Sequence, residues 1–262
     1  MSRVAIVTGA ARGIGAATVI ALADAGWSVV AVDRCTDDPR LPYALGTESE
    51  LAEVVGRTHA AGAVRPMVAD ACSPDDMTAA VALAEDDLGG LDALVAVAGV
   101  IAGGVPLWEM PPEQEEAILD VNLRSVLVAS RVGIPALLRR PEPRAGRFVA
   151  VASAAATRGL PMLAAYCAAK AGVTGLVRSL AAELRGTGVT ANAVSPGSTA
   201  TPILDESARL YGLESAEAFS SQQPIARLIR PEEVAATIVW LAGATTDAVT
   251  GATVPVDGGL SL

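Results

Sequence analysis

An apolar run, Val4 to Val7, passes directly into Thr8, Gly9, Ala10, Ala11, Arg12, Gly13, Ile14 and Gly15, then into an alanine-rich segment of helical composition. A strand, a glycine-rich turn and a helix in that order point bare backbone N–H groups and the positive helix end at one spot. That spot is a natural seat for a pyrophosphate. The glycines are spaced GxxxGxG rather than GxGxxG. Twenty residues beyond Gly13, a second apolar run (Val29 to Val32) ends in Asp33, where a carboxylate accepts hydrogen bonds from an adenosine ribose.

The alternation continues to the end of the chain. Thr47 and Glu50 form a capping box for a helix to about Ala61. Val64 to Ala69 reads as a strand ending at Asp70, and Ser73 caps a helix to about Leu88. Leu91 to Ala98 is a strand closing on Gly99. A long helix from about Pro112 to Leu138 carries Asn122, with Pro135 kinking or ending its last turn. The Phe148–Val151 run leads to Ser153, and a helix bearing Tyr166 follows to about Arg185. Val189 to Ser195 ends in Pro196 and Gly197; a helix over Pro231 to Leu241 and a strand over Thr253 to Val256 finish the chain. The pattern predicts one α/β domain over residues 1–262: a doubly wound sheet of about seven parallel strands, right-handed crossovers and helices on both faces. Two segments lie outside the alternation, an insert at 34–46 and a flap at about 198–230 with short helices around Tyr211 and Phe219. Ligands of such sheets bind beyond the carboxyl ends of the strands. Gly9, Asp33, Asp70, Gly99, Ser153 and Pro196 all fall at such ends, which predicts one shared pocket.

Tyr166 and Lys170 are four apart, so on a helix they share a face. An ammonium held beside a phenol favours the phenolate and pulls its pKa down from about 10. A strand-end hydroxyl at Ser153 facing that phenol would cradle a carbonyl or alcohol oxygen. Lys170 is also the only lysine among nineteen basic side chains. A chain that uses arginine everywhere else keeps, at this one position, the compact ammonium with an adjustable pKa.

Composition excludes several alternatives. With 52% hydrophobic residues the chain can bury a large core, and a net charge of −10 argues against nucleic acid or an anionic membrane as partner. Cys35, Cys72 and Cys167 are odd in number and lack metal-ligand spacing, as expected of reduced thiols in a cytoplasmic protein. A single histidine, His59, leaves no Ser-His-Asp chemistry. The longest mainly apolar uncharged run, Ala93 to Trp108, is broken by Gly and Pro and falls short of a membrane span.

With Thr8 to Gly15, Asp70, Ala98–Gly99, Asn122, Ser153, Tyr166, Lys170 and Pro196–Gly197 in this order, nearly the whole chain resembles the short-chain dehydrogenase/reductase family, a Rossmann-type fold. The resemblance implies an NAD-dependent oxidoreductase acting on a secondary alcohol or its ketone. It implies that Tyr166 is the acid/base, Ser153 positions the substrate oxygen, Lys170 binds the nicotinamide ribose, and Asn122 holds a proton-relay water. Gly9, Arg12, Gly13, Ile14, Asp33, Arg34, Asp70, Ala71, Ala98, Gly99, Pro196, Gly197, Thr199 and Thr201, with Tyr166 and Lys170, would contact the cofactor. Arg12 and Arg34 could attract a 2′-phosphate, but Asp33 would repel one, so NAD is expected over NADP. The family usually has two asparagines before Ala-Gly; Ala96 and Val97 stand there, so the hydrogen bonds of those amides must come from elsewhere.

The insert resembles that of the subgroup associated with the redox carrier mycofactocin, which includes carveol dehydrogenase-like enzymes. This implies an insert that folds over the adenosine, with Leu41, Tyr43 and Leu45 against the adenine. It also implies a tightly held NAD and an external electron carrier. Ala154, Ala155, Leu160, Met162, Leu163 and the flap are expected near the substrate, which the scarcity of charge marks as apolar, of terpenoid or steroid type. A homotetramer through the Asn122 and Tyr166 helices is implied by the resemblance alone. A dinucleotide binder without turnover, or an epimerase or dehydratase using the same Ser-Tyr-Lys set, are the competing readings.

Overall fold

The structure, a computed structural model, describes residues 2–58 and 64–262. Among these, seven strands form one wholly parallel sheet: β1 (Val4–Thr8), β2 (Ser28–Asp33), β3 (Val64–Val68), β4 (Ala93–Ala96), β5 (Arg147–Val151), β6 (Thr190–Pro196) and β7 (Thr253–Val256). Their order is β3-β2-β1-β4-β5-β6-β7. The expected fold class is therefore the observed one. The order reverses between β1 and β4, and that switch point opens the crevice in which such sheets bind ligands.

Side-chain alternation along each strand feeds two cores. Val4 and Ile6 of β1 pack with the face covered by α3 (Pro74–Leu88), α5 (Ser125–Arg139) and α6 (Ala164–Glu183), where Met77, Val126 and Val173 are buried. Ala5 and Val7 face α1 (Gly13–Asp24), α2 (Glu48–Gly56) and α8 (Pro231–Ala242), through Val19, Leu51 and Ile238. The Thr47–Glu50 capping box opens α2 as read from the sequence. Its expected end near Ala61, and His59, lie outside the described residues.

The long helix differs from its reading. It begins as α4 (Pro112–Leu119), passes through a π-helical turn over Asp120–Arg124, and continues as α5. Asn122 sits in that turn, and its side-chain amide donates to Ile118 O at 3.0 Å, taking an acceptor the backbone ladder gives up. Pro135 does not end the helix, which runs on to Arg139. By length and apolarity Pro112–Arg139 could cross a bilayer, but Val126, Ala129 and Leu137 are spent on the core.

Candidate active site

The β1–α1 turn is built for close approach. Gly9 has φ +68°, and a Cβ there would lie 2.8 Å from Ala98 Cα; one on Gly15 would lie 1.9 Å from Gly9 O. The first turn of α1 carries no acidic residue and no side-chain cap, so its N–H groups stay available to an anion. Thr201 closes the other side, since a Cβ on Gly13 would sit 3.3 Å from its methyl group. Arg12, Gly13 and Ile14 line the resulting cavity of about 650 Å³.

At the end of β2, Asp33 accepts from Ala11 N (2.9 Å) and Cys35 N (3.1 Å), which aims its carboxylate along the cavity wall. Asp70 accepts from Cys72 N at 2.8 Å and lines the cavity with Ala71. Arg34 turns towards Asp38 of the insert, 3.3 Å away, and its other terminal nitrogen is buried without an acceptor. The end of β4 is tied to β1 by Thr8, whose hydroxyl accepts from the backbone Val97 N (3.1 Å) and Ala98 N (3.2 Å). The side chain responsible was in view, at the head of the glycine turn, but only the fold brings β1 beside β4.

Beyond β6, Pro196 and Gly197 join the wall, and a Cβ on Gly197 would meet Gln223 Oε1 at 2.5 Å. Gln223, missed in the sequence, clamps the flap by exchanging hydrogen bonds with Ser198 N and O. Thr199 and Thr201 follow, each hydroxyl donating to the backbone two residues back.

Asn122, Ser153, Tyr166 and Lys170 gather past Gly99. A Cβ there would lie 3.0 Å from Asn122 Oδ1 and at ordinary contact distance, 3.6 Å, from Lys170 Nζ, so the strand end passes close between these two side chains. Asn122 is fully buried, donating to Val100 O and Ile118 O while accepting from Val100 N. Lys170 is buried and donates to Val151 O at 2.9 Å; burial lowers its pKa from 10.5 to about 8. The expected depression of the Tyr166 phenol is absent. Burial raises it to about 12, partly offset by the Ser153 hydroxyl opposite. The physical reason is direction: the ammonium lies 5.8 Å from the Tyr166 ring centroid and spends its direct bond on Val151 O. Ser153 Oγ also accepts from Ala155 N, which fixes the turn after β5.

The insert departs from its reading at Leu41, while Tyr43 and Leu45 line the cavity beside Gly46 and Asp33. Leu41 is buried in a cluster with Val100, Ile118, Ala165 and Ala169, beside α6 and away from the cavity lining. The Tyr43 hydroxyl accepts from Ile101 N at 2.9 Å, and Arg12 donates to Ala44 O at 2.9 Å. The segment therefore crosses the middle of the cleft and returns at Gly46 against Asp33, where a Cβ would lie 3.2 Å from its carboxylate. A run without periodicity states no docking direction. On the substrate side, Ala154, Ala155, Leu160 and Leu163 line the cavity with Tyr211 and Phe219, whose rings meet edge to face at 6.1 Å. Met162 does not; at φ +61° it turns outward, 45% exposed.

NAD fits these residues: free helix N–H groups, a glycine cradle with no room for Cβ atoms, Asp33 at the β2 end, and a buried Arg34 nitrogen needing an acceptor. A family profile described as Enoyl-(Acyl carrier protein) reductase matches residues 9–261. The short-chain reductase protein NovJ of Streptomyces niveus is 38% identical over 98% of this chain and 93% of its own length. Carveol dehydrogenase from Mycobacterium avium, solved in complex with NAD, superposes with a TM-score of 0.92 at 29% identity, covering 98% of this chain and 97% of that one. A short-chain dehydrogenase from Mycobacterium paratuberculosis bound to NAD gives 0.89 at 30% identity, covering 99% and 97%. The chain belongs to the short-chain dehydrogenase/reductase family. It is an oxidoreductase, and its cofactor is NAD.

Proposed function

We propose that this enzyme interconverts a secondary alcohol and its ketone, on a largely apolar substrate of terpenoid or steroid type. The supporting observation is the convergence of the Tyr166 phenol, the Ser153 hydroxyl and the Lys170 ammonium on one mainly apolar cavity, continuous with the glycine cradle. Bound NAD supplies the hydride acceptor for oxidation and the hydride donor for reduction. Tyr166 moves the proton at the substrate oxygen. Its raised pKa keeps it protonated near neutrality, ready to give a proton to a nascent alkoxide. Ser153 donates a hydrogen bond to the same oxygen and holds it against the phenol. Lys170, still largely charged at neutral pH with a pKa of about 8 and held on Val151 O, would bind the nicotinamide ribose. Asn122 Oδ1, on the other side of Gly99 from that ammonium, keeps a lone pair beyond its bond from Val100 N for proton relay.

The insert is the finer part of the reading. Its anchorage on Val100, Ile101 and Ala165 supports a strap that retains NAD, so that turnover draws on an external redox carrier of the mycofactocin kind. Three free thiols support a reducing, cytoplasmic setting, and the exposed Leu119 and Leu127 support homotetramer contacts along the Asn122 helix. The test is to purify the protein without added cofactor, desalt it extensively, assay retained dinucleotide, and offer secondary alcohols. Retained NAD reduced by an alcohol supports the reading. Protein that emerges empty and turns over freely with added NAD removes the strap, and no reduction under either condition removes the alcohol chemistry.

A further inference from the structure

Arg158 is a charged group in the cavity that this chemistry leaves unused. It stands five residues past Ser153 and, though exposed to solvent, lines the mouth of the cavity that also holds Tyr166. Around it the substrate side is apolar, with Leu160, Leu163, Tyr211, Phe219 and Leu260. The carboxylates of the cavity, Asp33 and Asp70, stand at the ends of β2 and β3, across the switch point. The acid on the substrate side, the buried Glu206 of the flap, is already held by Arg209, which leaves the Arg158 charge without a carboxylate in a chain whose net charge is −10.

The guanidinium is oriented rather than loose. Nη1 donates to Leu260 O at 2.6 Å, which leaves the edge formed by Nε and Nη2. Among the described residues that edge has no hydrogen bond and Arg158 no carboxylate partner. It is the edge by which Arg139 grips Glu85 (2.9 and 3.0 Å) and Arg209 grips Glu206 (2.8 and 2.5 Å). A planar fork fixed at one nitrogen and open along its side matches a carboxylate bidentately.

We propose that the substrate carries a carboxylate at the end remote from its reacting carbon, and that Arg158 is the specificity-determining residue that binds it. This rests on the alcohol–ketone reading and narrows its substrate to apolar hydroxy or oxo acids.

The experiment uses NAD-loaded protein and secondary hydroxyalkanoates of graded chain length, each beside its methyl ester, with binding measured by calorimetry and oxidation by cofactor absorbance. The native protein should bind the best-fitting acid about threefold to fivefold more tightly than its ester, the range of a solvent-exposed guanidinium–carboxylate pair. Arg158→Gln should erase that preference while leaving ester affinity unchanged, and Arg158→Lys should restore part of it. Ester affinity and melting temperature report separately on the bond to Leu260. An equal preference in Arg158→Gln, or none in the native protein, overturns the proposal even if neutral alcohols are oxidised. Arg158-dependent binding of acids that are never oxidised upholds the carboxylate site and overturns the alcohol chemistry instead.

Discussion

Arg40 Nη1 lies 2.9 Å from Asp120 Oδ2, and this ion pair joins the insert to the π turn that carries Asn122. Arg40 also holds both oxygens of the buried Asp38 (3.0 and 2.8 Å), which Arg34 approaches from the other side, and these partners keep the Asp38 carboxyl down at about 2. The insert and the π turn are thus parts of one charged network.

Neutralising the link should loosen the strap without removing a group from the reacting cluster. Asp120→Asn is expected to speed NAD release about twofold to fivefold, the range of a partly exposed pair, and to reduce the salt dependence of that release. Release is followed by cofactor fluorescence after dilution into an NAD trap. Unchanged release in the variant, with slow release in the native protein, would show that Leu41 and Tyr43 hold the strap unaided.

Cofactor choice should turn on Asp33. Its two oxygens already hold Ala11 N and Cys35 N, while Arg12 and Arg34, the cations that might have met a 2′-phosphate, are turned onto Ala44 O and Asp38. Asp33→Ser should raise NADP affinity relative to NAD by about tenfold or more, as removal of an unpaired like charge from a poorly solvated site allows. Titration of both dinucleotides measures the ratio; an unchanged ratio would contradict this account of the specificity.

The glycine cradle makes a structural prediction. Gly15→Ala drives a Cβ to 1.9 Å from Gly9 O, a backbone atom that cannot move without opening the turn. The variant should lose most of its NAD affinity and unfold at a lower temperature. Alanine tolerated at that position with native NAD affinity would mean the turn is looser than described.

Lys170 makes a prediction about pH and stability. Its folded pKa of about 8 lies below the ordinary 10.5, so the charged form is the costly one in the fold. Native stability attributable to this group therefore rises as pH climbs from about 8 to 10.5 and is constant below that window. Lys170→Met should be inactive yet more stable at pH 7 by up to about 3 kcal/mol, with the gap closing towards pH 10.5. Denaturant unfolding across that range measures it, and a gap that widened with pH would reverse the sign of the argument.

What was legible follows from what each signal encodes. Strand ends were readable because apolar runs terminate sharply at Asp33, Gly99 and Ser153, and a parallel sheet brings such ends together whatever the loops do. Thr47 and Glu50 announced α2 because a capping box is local. The π turn at Asn122 was not legible, because it is set by a side chain bonding to Ile118 O and to a loop from β4. Nor was the resting place of Leu41, whose partners come from three distant elements. The phenol shift was misjudged for a related reason. A spacing of four puts Tyr166 and Lys170 on one face but says nothing of Val151 O, which takes the ammonium's direct bond.

The central claim is that Tyr166 carries the proton for hydride exchange between an alcohol and NAD in this cavity. Single-turnover absorbance of the cofactor, recorded with secondary alcohols for the native protein and for Tyr166→Phe, addresses it whether the NAD is retained or added. The account predicts reduced cofactor in the native protein and a rate about 10²–10⁴-fold lower in the variant, with dinucleotide affinity preserved. Equal rates in the two proteins, or reduced cofactor in neither, would contradict it.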